Sequence, residues 1–246
     1  MNGRAPTAVV TGAASGIGRA TAMKLLAEGF DVLAVDRDAD GLSALPSGMR
    51  TLVADLSVRA DRDEVVSRGA GASALVNSAG VIRLKPILDI DVSDIRDVYA
   101  VNVEALWDLT SRIGRTMPAG GAIVNLSSSS AKLASTLEVA VYASSKAAVL
   151  SITRSFAYAF APSGVRVNAI CPGIIDTPMQ DTVVAGIARN RDAAVTALAA
   201  DRMATVPLGR SATAAECADA VWFLLSEASA YMTGEAMNFS GGMVTW

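Results

Sequence analysis

Tyr142 and Lys146 stand four residues apart at the start of a helical pattern whose apolar stripe is Val149, Ile152 and Phe156. In a helix that spacing puts the phenol and the ammonium on one face, one turn apart. A cation beside a phenol stabilises the phenolate and pulls its pKa down from about 10, so such a pair could exchange protons near neutral pH. The 246 residues contain no histidine, which removes His-based triads, His-ligated metals and imidazole acid/base work in one step. Proton transfer is left to Tyr, Lys, Asp, Glu or Cys. A tyrosine and a lysine at this spacing are also common on idle helix faces, so the pair gains meaning only from its surroundings.

Two other stretches could meet a ligand. The serines Ser127 to Ser130 follow AIVNL (122–126), which reads as a buried strand, and ligand groups gather at the C-terminal edge of such strands. Near the start, TAVVT (7–11) runs into Gly12-Ala-Ala-Ser15-Gly16-Ile17-Gly18 and then a helical pattern from Arg19 to Glu28. Glycines there let the backbone turn tightly against a pyrophosphate, which amide N–H groups and the positive end of the helix dipole would hold. The same glycines would serve close helix–strand packing with no ligand at all. Asp36 ends the second expected strand, where a carboxylate would meet the ribose diol of an adenosine, or else cap the following helix. A carboxylate there repels the extra phosphate of NADP, Arg37 offsets part of that, and Ser15 offers no cation. The expected cofactor is therefore NAD rather than NADP.

These residues need a scaffold, and the chain supplies a regular one. Short Val/Ile/Leu/Ala runs at 7–11, 31–36, 50–55, 74–77, 122–126, 165–170 and 236–239 alternate with helix-length segments such as 16–28, 93–115 and 142–160. Strands buried on both faces and separated by helices make an α/β fold with a parallel, doubly wound sheet and right-handed crossovers. No repeat, charge block or linker divides the chain, so 1–246 reads as one domain. A stretch rich in Ala, Arg and Asp, about 177–206, follows a strand's C-terminal end and reads as a helical substrate lid.

Composition narrows the setting. Hydrophobic residues make up 52% and charged residues 18%, a folding composition, and a net charge of −3 gives no electrostatic case for nucleic acid. The start lacks signal-peptide features, and no apolar run is long enough to span a bilayer, so a cytoplasmic protein with no membrane partner is expected. Cys171 and Cys217 match no metal or redox motif, and no metal site is expected.

Taken in order, the TGxxxGIG turn, Asp36, Asp55-Leu56, NSAG at 77–80, Asn102, the serine run, Y-x-x-x-K and PGIIDTP at 172–178 closely resemble the short-chain dehydrogenase/reductase family, from Thr7 to Gly242. The resemblance implies a Rossmann-like, seven-stranded sheet and hydride transfer between a nicotinamide and a small alcohol or ketone. It implies that Tyr142 is the general acid/base, that Lys146 holds the nicotinamide ribose and lowers the tyrosine pKa, and that Asn102 helps hold a proton-relaying water. Gly12, Ser15, Gly16, Ile17 and Gly18 would hold the pyrophosphate, and Asp55 with Leu56 the adenine. Asn77, Ala79 and Gly80 would flank the adenosine side, while Pro172, Gly173, Ile175 and Thr177 would lie on the nicotinamide side.

The family's substrate-orienting serine falls on Ser128 when counted from the strand signature VNLSS, and on Ser129 with the family's commoner, one-residue-shorter spacing to the tyrosine. Ser128 is favoured because the strand fixes its place while the loop can absorb a residue. Two departures stand out: NSAG replaces the usual NNAG, and the short stretch from Leu56 to Val76 implies a shortened helix after the third strand.

Substrate choice would rest on side chains near 83–88, 130–141 and the lid, among them Ile87, Leu133, Val139, Met179, Val183, Arg83, Lys85, Glu138, Arg189, Arg191 and Arg202. The ending MTGEAMNFSGGMVTW with PLGR at 207–210 is most similar to members acting on polyols and sugars. A 3-oxoacyl-thioester reductase is the enzymatic alternative, though its usual NADPH sits poorly with Asp36. An NAD-binding sensor or scaffold without turnover is the alternative of another class. The resemblance also implies a homotetramer or homodimer, and the apolar Met243-Val244-Thr245-Trp246 suits burial within or between subunits.

Overall fold

The apolar runs become strands because their side chains project to both faces of one sheet, and helices cover both faces. The computed structural model describes residues 5–133 and 136–246. In it β1 (Thr7–Thr11) leads to α1 (Gly16–Ala27), β2 (Asp31–Asp36) to the short α2 (Ala39–Ser43), and β3 (Arg50–Val53) to α3 (Arg59–Gly69). After β4 (Ala74–Asn77) come α4 (Val92–Tyr99) and α5 (Leu106–Gly114), and after β5 (Ala122–Leu126) comes α6 (Ala140–Phe160). The two-residue β7 (Ile175–Asp176) follows β6 (Arg166–Pro172), then α7 (Pro178–Arg191) and α8 (Val195–Ala204), then β8 (Ala212–Thr213), α9 (Ala214–Leu225) and β9 (Ala236–Phe239).

Seven strands form one sheet in the order β3-β2-β1-β4-β5-β6-β9, every neighbouring pair parallel. This is the Rossmann-like, doubly wound single domain expected from the sequence. Leu25, Val221 and Leu224 from α1 and α9 cover one face, and Leu109, Ile113 and Phe160 from α5 and α6 cover the other. Each such side chain taken fully out of water contributes roughly 1.5–3 kcal/mol. The order reverses between β1 and β4, so the loops leaving those strands diverge and open a crevice at their C-terminal ends.

The structure departs from the sequence expectations locally. The third strand ends at Val53, which leaves Asp55 in the following turn, and the sixth runs from Arg166 to Pro172. The single helix expected over 93–115 is two helices joined by a π-helical turn at Ala100–Ala105. Asn102 sits in that wide turn, fully buried: its Nδ2 donates to Val81 O and Ser145 Oγ, both at 3.0 Å, and its Oδ1 accepts from Val81 N at 2.8 Å. The lid region is the helical pair α7 and α8, and the ladder between β7 and β8, Ile175 beside Ala212 and Asp176 beside Thr213, was not anticipated. Among the described residues no helix is long and apolar enough to cross a membrane, and no cluster suited to a metal ion occurs.

Candidate active site

The glycine turn closes on itself because it has no side chains to accommodate. Gly12 (φ 68°) and Gly16 (φ 52°) adopt left-handed conformations open to glycine. A Cβ on Gly18 would lie 2.0 Å from Gly12 O, and one on Gly12 would lie 2.8 Å from the Ala79 backbone. Ser15 caps α1 without a side-chain hydrogen bond, so no side chain occupies the amides of the first turn. Bare N–H groups, a dipole end and a backbone cradle fit an anionic pyrophosphate. Thr11, which the sequence reading passed over, holds the cradle together: its Oγ1 accepts from Ser78 N and Ala79 N, both at 3.1 Å. The signal for it was its place at the end of a buried strand, immediately before the turn.

At the far end of the cleft stand Asp36, Arg37, Asp55 and Leu56. Asp36 accepts from Ala14 N at 3.0 Å and from Asp38 N at 3.1 Å, tying the glycine turn to β2. The cap of α2 is Asp38, not Asp36. Asp55 Oδ1 accepts from Ser57 Oγ at 2.7 Å and Ser57 N at 2.9 Å, which hold its carboxyl below the usual range. Ala79 and Gly80 line the same cleft, but Asn77 does not. Asn77 turns into the sheet, where its Nδ2 donates to Asn125 Oδ1 at 2.8 Å and Thr110 Oγ1 at 2.9 Å.

The cleft of about 580 Å³ continues to its other end, lined by Ser128, Tyr142, Lys146, Pro172, Gly173, Ile175 and Thr177. A Cβ on Gly16 would stand 3.2 Å from Thr177 Cγ2, so the two walls nearly meet there. Lys146 is buried, with Nζ 5.6 Å from the Tyr142 ring centroid and donating to Leu126 O at 2.7 Å. Burial pushes the Tyr142 phenol up to about 12, with Ser128 the polar neighbour pulling it the other way. Burial brings the Lys146 ammonium down to about 8. In the chain without a cofactor, removal from water thus sets the direction of the Tyr142 shift.

The serine run divides its work. Ser127 Oγ donates to Lys146 O at 2.8 Å, which joins β5 to α6. Ser128 Oγ faces Tyr142 and accepts from Ser130 N at 3.1 Å, while Ser129 opens a short 3-10 turn, also lining the cleft. Asn102 stands behind the cleft, one hydrogen bond from Ser145 on α6, so it braces the helix that carries Tyr142 and Lys146.

The remaining wall is mixed. Leu133, Val139, Met179 and Val183 line it, as do Arg191 and Arg202, whereas Ile87, Arg83, Lys85 and Arg189 do not. Arg83 pairs with Asp97 at 2.9 Å and Lys85 with Asp94 at 2.5 Å, which spends neither cation on the cleft. Ala134 and Ser135, within the 130–141 stretch, lie outside the described residues. Val183, Val184, Ile187 and Leu198 form a small apolar core that seats α7 and α8 against Ile82 and Leu84.

A family model described as enoyl-(acyl carrier protein) reductase matches residues 12–244. Galactitol 2-dehydrogenase (L-tagatose-forming) of Cereibacter sphaeroides is 36% identical over 250 residues, covering 97% of this chain and 95% of that protein. L-2,3-butanediol dehydrogenase of Corynebacterium glutamicum is 31% identical over 253 residues, covering 96% and 98%. A short-chain dehydrogenase from Burkholderia cenocepacia, solved in complex with NADP, has a TM-score of 0.87 at 28% identity, with 97% of each chain covered.

Proposed function

Because the chain belongs to the short-chain dehydrogenase/reductase family, and is an oxidoreductase that interconverts a secondary alcohol and a ketone, we propose that Tyr142 is its general acid/base and a polyol or sugar its substrate class. The observation that carries this reading is the placement of the half-buried Tyr142 beside the buried Lys146 and Ser128, at the end of a cleft whose other end is a backbone cradle suited to a pyrophosphate.

The glycine turn, with Ser15 and Ile17, would hold the pyrophosphate of a nicotinamide dinucleotide. Asp36 would take the adenosine ribose, favouring NAD over NADP, and Asp55 with Leu56 would flank the adenine. Pro172, Gly173, Ile175 and Thr177 would fix the nicotinamide end. When bound, the cofactor supplies the carbon that accepts or gives hydride and, oxidised, the positive charge that draws the Tyr142 phenol down.

In the oxidation direction Ser128 donates a hydrogen bond to the substrate oxygen and orients it toward Tyr142. As the carbinol C–H bond breaks, with its electron pair leaving as hydride, the hydroxyl proton passes to the Tyr142 oxygen. In reduction Tyr142 returns that proton to the carbonyl oxygen. Lys146 meets the cofactor ribose and keeps positive charge by the phenol. Asn102 braces α6 near any water that relays the proton outward, and α7 with α8 acts as the lid that excludes bulk water.

A homotetramer is supported by the exposed apolar side chains Val92, Ile95 and Trp107 on α4 and α5. Light scattering that gave a monomer at micromolar concentration would remove that part.

The test is a spectrophotometric screen of NAD and NADP against polyols, aldoses, hydroxy acids and 3-hydroxyacyl thioesters, followed by three variants on the best substrate. Tyr142→Phe should lose roughly 10²–10⁴-fold in kcat with cofactor affinity nearly intact. Ser128→Ala should lose far more than Ser129→Ala. Persistent activity in Tyr142→Phe overturns the acid/base assignment, and thioesters as the best substrates overturn the substrate class.

A further inference from the structure

Four cations line the cleft: Arg37, Lys146, Arg191 and Arg202. Arg37 stands at the adenosine end, Lys146 donates to Leu126 O, and both forks of Arg191 are held by Glu138 at 2.6 and 2.7 Å. Arg202, on α8, differs from all of them at the substrate end. Among the described residues its guanidinium makes no hydrogen bond and no ion pair, and its Nε is out of reach of solvent as well as of any acceptor. Asp201 also lines the cleft but is exposed and does not pair with it.

An arginine stays charged, and here a half-buried guanidinium with its Nε shut off from water has no partner among the described residues, a cost that an anion meeting it would offset. Burial first, and then the like charge of Arg191, press against the protonated form of Arg202, and no carboxylate among the described residues pairs with it. Its terminal nitrogens are the donors left to turn toward a ligand. The same cleft is lined by the apolar Met179, Val183 and Leu198 and by the polar Gln180 and Thr205, and Arg202 is the cation among the described lining residues left free to meet an anion there.

We propose that Arg202 binds an anionic group of the substrate, a carboxylate or a phosphate set away from the reacting carbinol. The substrate is then an acidic member of the polyol class, a sugar acid or a phosphorylated sugar alcohol, rather than a neutral polyol. This rests on the reading of the cleft as an alcohol dehydrogenase site, and the test separates the two.

With cofactor saturating, kcat/KM is measured for galactitol, galactonate and galactitol 1-phosphate on the wild-type enzyme, Arg202→Gln and Arg202→Lys. The wild type should favour one of the anions by at least about tenfold, the better of the two naming the source of the charge. In Arg202→Gln the ratio of anion to galactitol should fall roughly 10- to 100-fold, mainly through KM, and Arg202→Lys should recover part of it. Equal use of all three by the wild type, or an equal loss on all three in Arg202→Gln, overturns the inference.

Should none turn over, calorimetric binding to Tyr142→Phe and to Tyr142→Phe/Arg202→Gln decides. Anion-selective binding lost in the double variant upholds the role of Arg202 while the dehydrogenase reading falls. Absent or unselective binding overturns the role of Arg202.

Discussion

Glu138 and Arg191 meet edge to edge, Nε to Oε1 at 2.6 Å and Nη2 to Oε2 at 2.7 Å. Glu138 lies in the turn just before α6 and Arg191 ends α7, so one bidentate pair links α7, part of the proposed lid, to the helix carrying Tyr142 and Lys146. The carboxylate is buried and the guanidinium half exposed, which limits the pair to about 1 kcal/mol. Glu138→Gln is expected to raise KM about fivefold with a smaller change in kcat. Loss of kcat alone would show that the pair does not seat the lid.

The same pair has a pH signature. The hydrogen bond from Arg191 holds the Glu138 carboxyl below its usual range, so its stabilisation is complete above the unfolded value of about 4.3 and fades as pH falls through the lowered folded value. Urea unfolding should show the wild type's advantage over Glu138→Gln shrinking below about pH 4. An advantage that stayed constant into stronger acid would contradict this.

Gly18 leaves no room for a methyl group, since its Cβ would sit 2.0 Å from Gly12 O. Gly18→Ala must push α1 away from the turn, and a loss of at least about 2 kcal/mol in stability is expected together with weaker dinucleotide binding. Thermal unfolding and a fluorescence titration with NADH measure the two separately. A variant as stable as the wild type would mean that the turn is looser than described.

Lys146 and Tyr142 make opposite contributions to stability at alkaline pH. Lys146, lowered to about 8, binds fewer protons folded than unfolded between that value and its reference of about 10.4, so its contribution rises with pH there. Tyr142, raised to about 12, keeps its proton folded where the unfolded chain loses it above about 10, so its contribution falls with pH there. Between about pH 7.5 and about pH 9.5 the cofactor-free protein should gain on the order of 1–2 kcal/mol more than Lys146→Met does. Denaturant titrations that rise equally in both proteins would place the Lys146 pKa elsewhere.

Asp36 ties the glycine turn to β2 and, on the proposed reading, selects the cofactor. Asp36→Asn retains an acceptor for Ala14 N or Asp38 N while removing the charge that would repel a ribose phosphate. The ratio of kcat/KM for NADP to that for NAD is expected to rise about tenfold or more, with Arg37 free to meet the phosphate. An unchanged ratio in initial-rate measurements would remove Asp36 as the selector.

Features set by neighbours in sequence were legible. Val/Ile-rich runs without alternation located the seven strands to within a few residues, and the Gly12–Gly18 spacing located the cradle. Tyr142 and Lys146 were legible because helical periodicity alone puts them on one face. What depended on distant partners was not. The π-helical turn at Ala100–Ala105 reflects bonds from Asn102 to Val81, 21 residues back, and to Ser145, 43 residues on. The inward turn of Asn77 depends on Asn125 and Thr110, and the high phenol pKa of Tyr142 depends on how much water the assembled fold excludes. The sequence could not tell that Arg191, on α7, is paired with Glu138 while Arg202, on α8, has no partner among the described residues.

The ladder of β7 and β8 pairs the residues on either side of α7 and α8. The chain thus leaves the sheet at Asp176 and returns beside it at Ala212, and the excursion between them is a closed loop with its own small core. Lengthening such a loop costs little, since closure entropy grows only slowly with chain length. Substrate preference can therefore drift through insertion and replacement within this cassette while Tyr142, Lys146 and the glycine turn, anchored elsewhere, keep their positions. One scaffold can in this way be retuned for many alcohols by exchanging a single module.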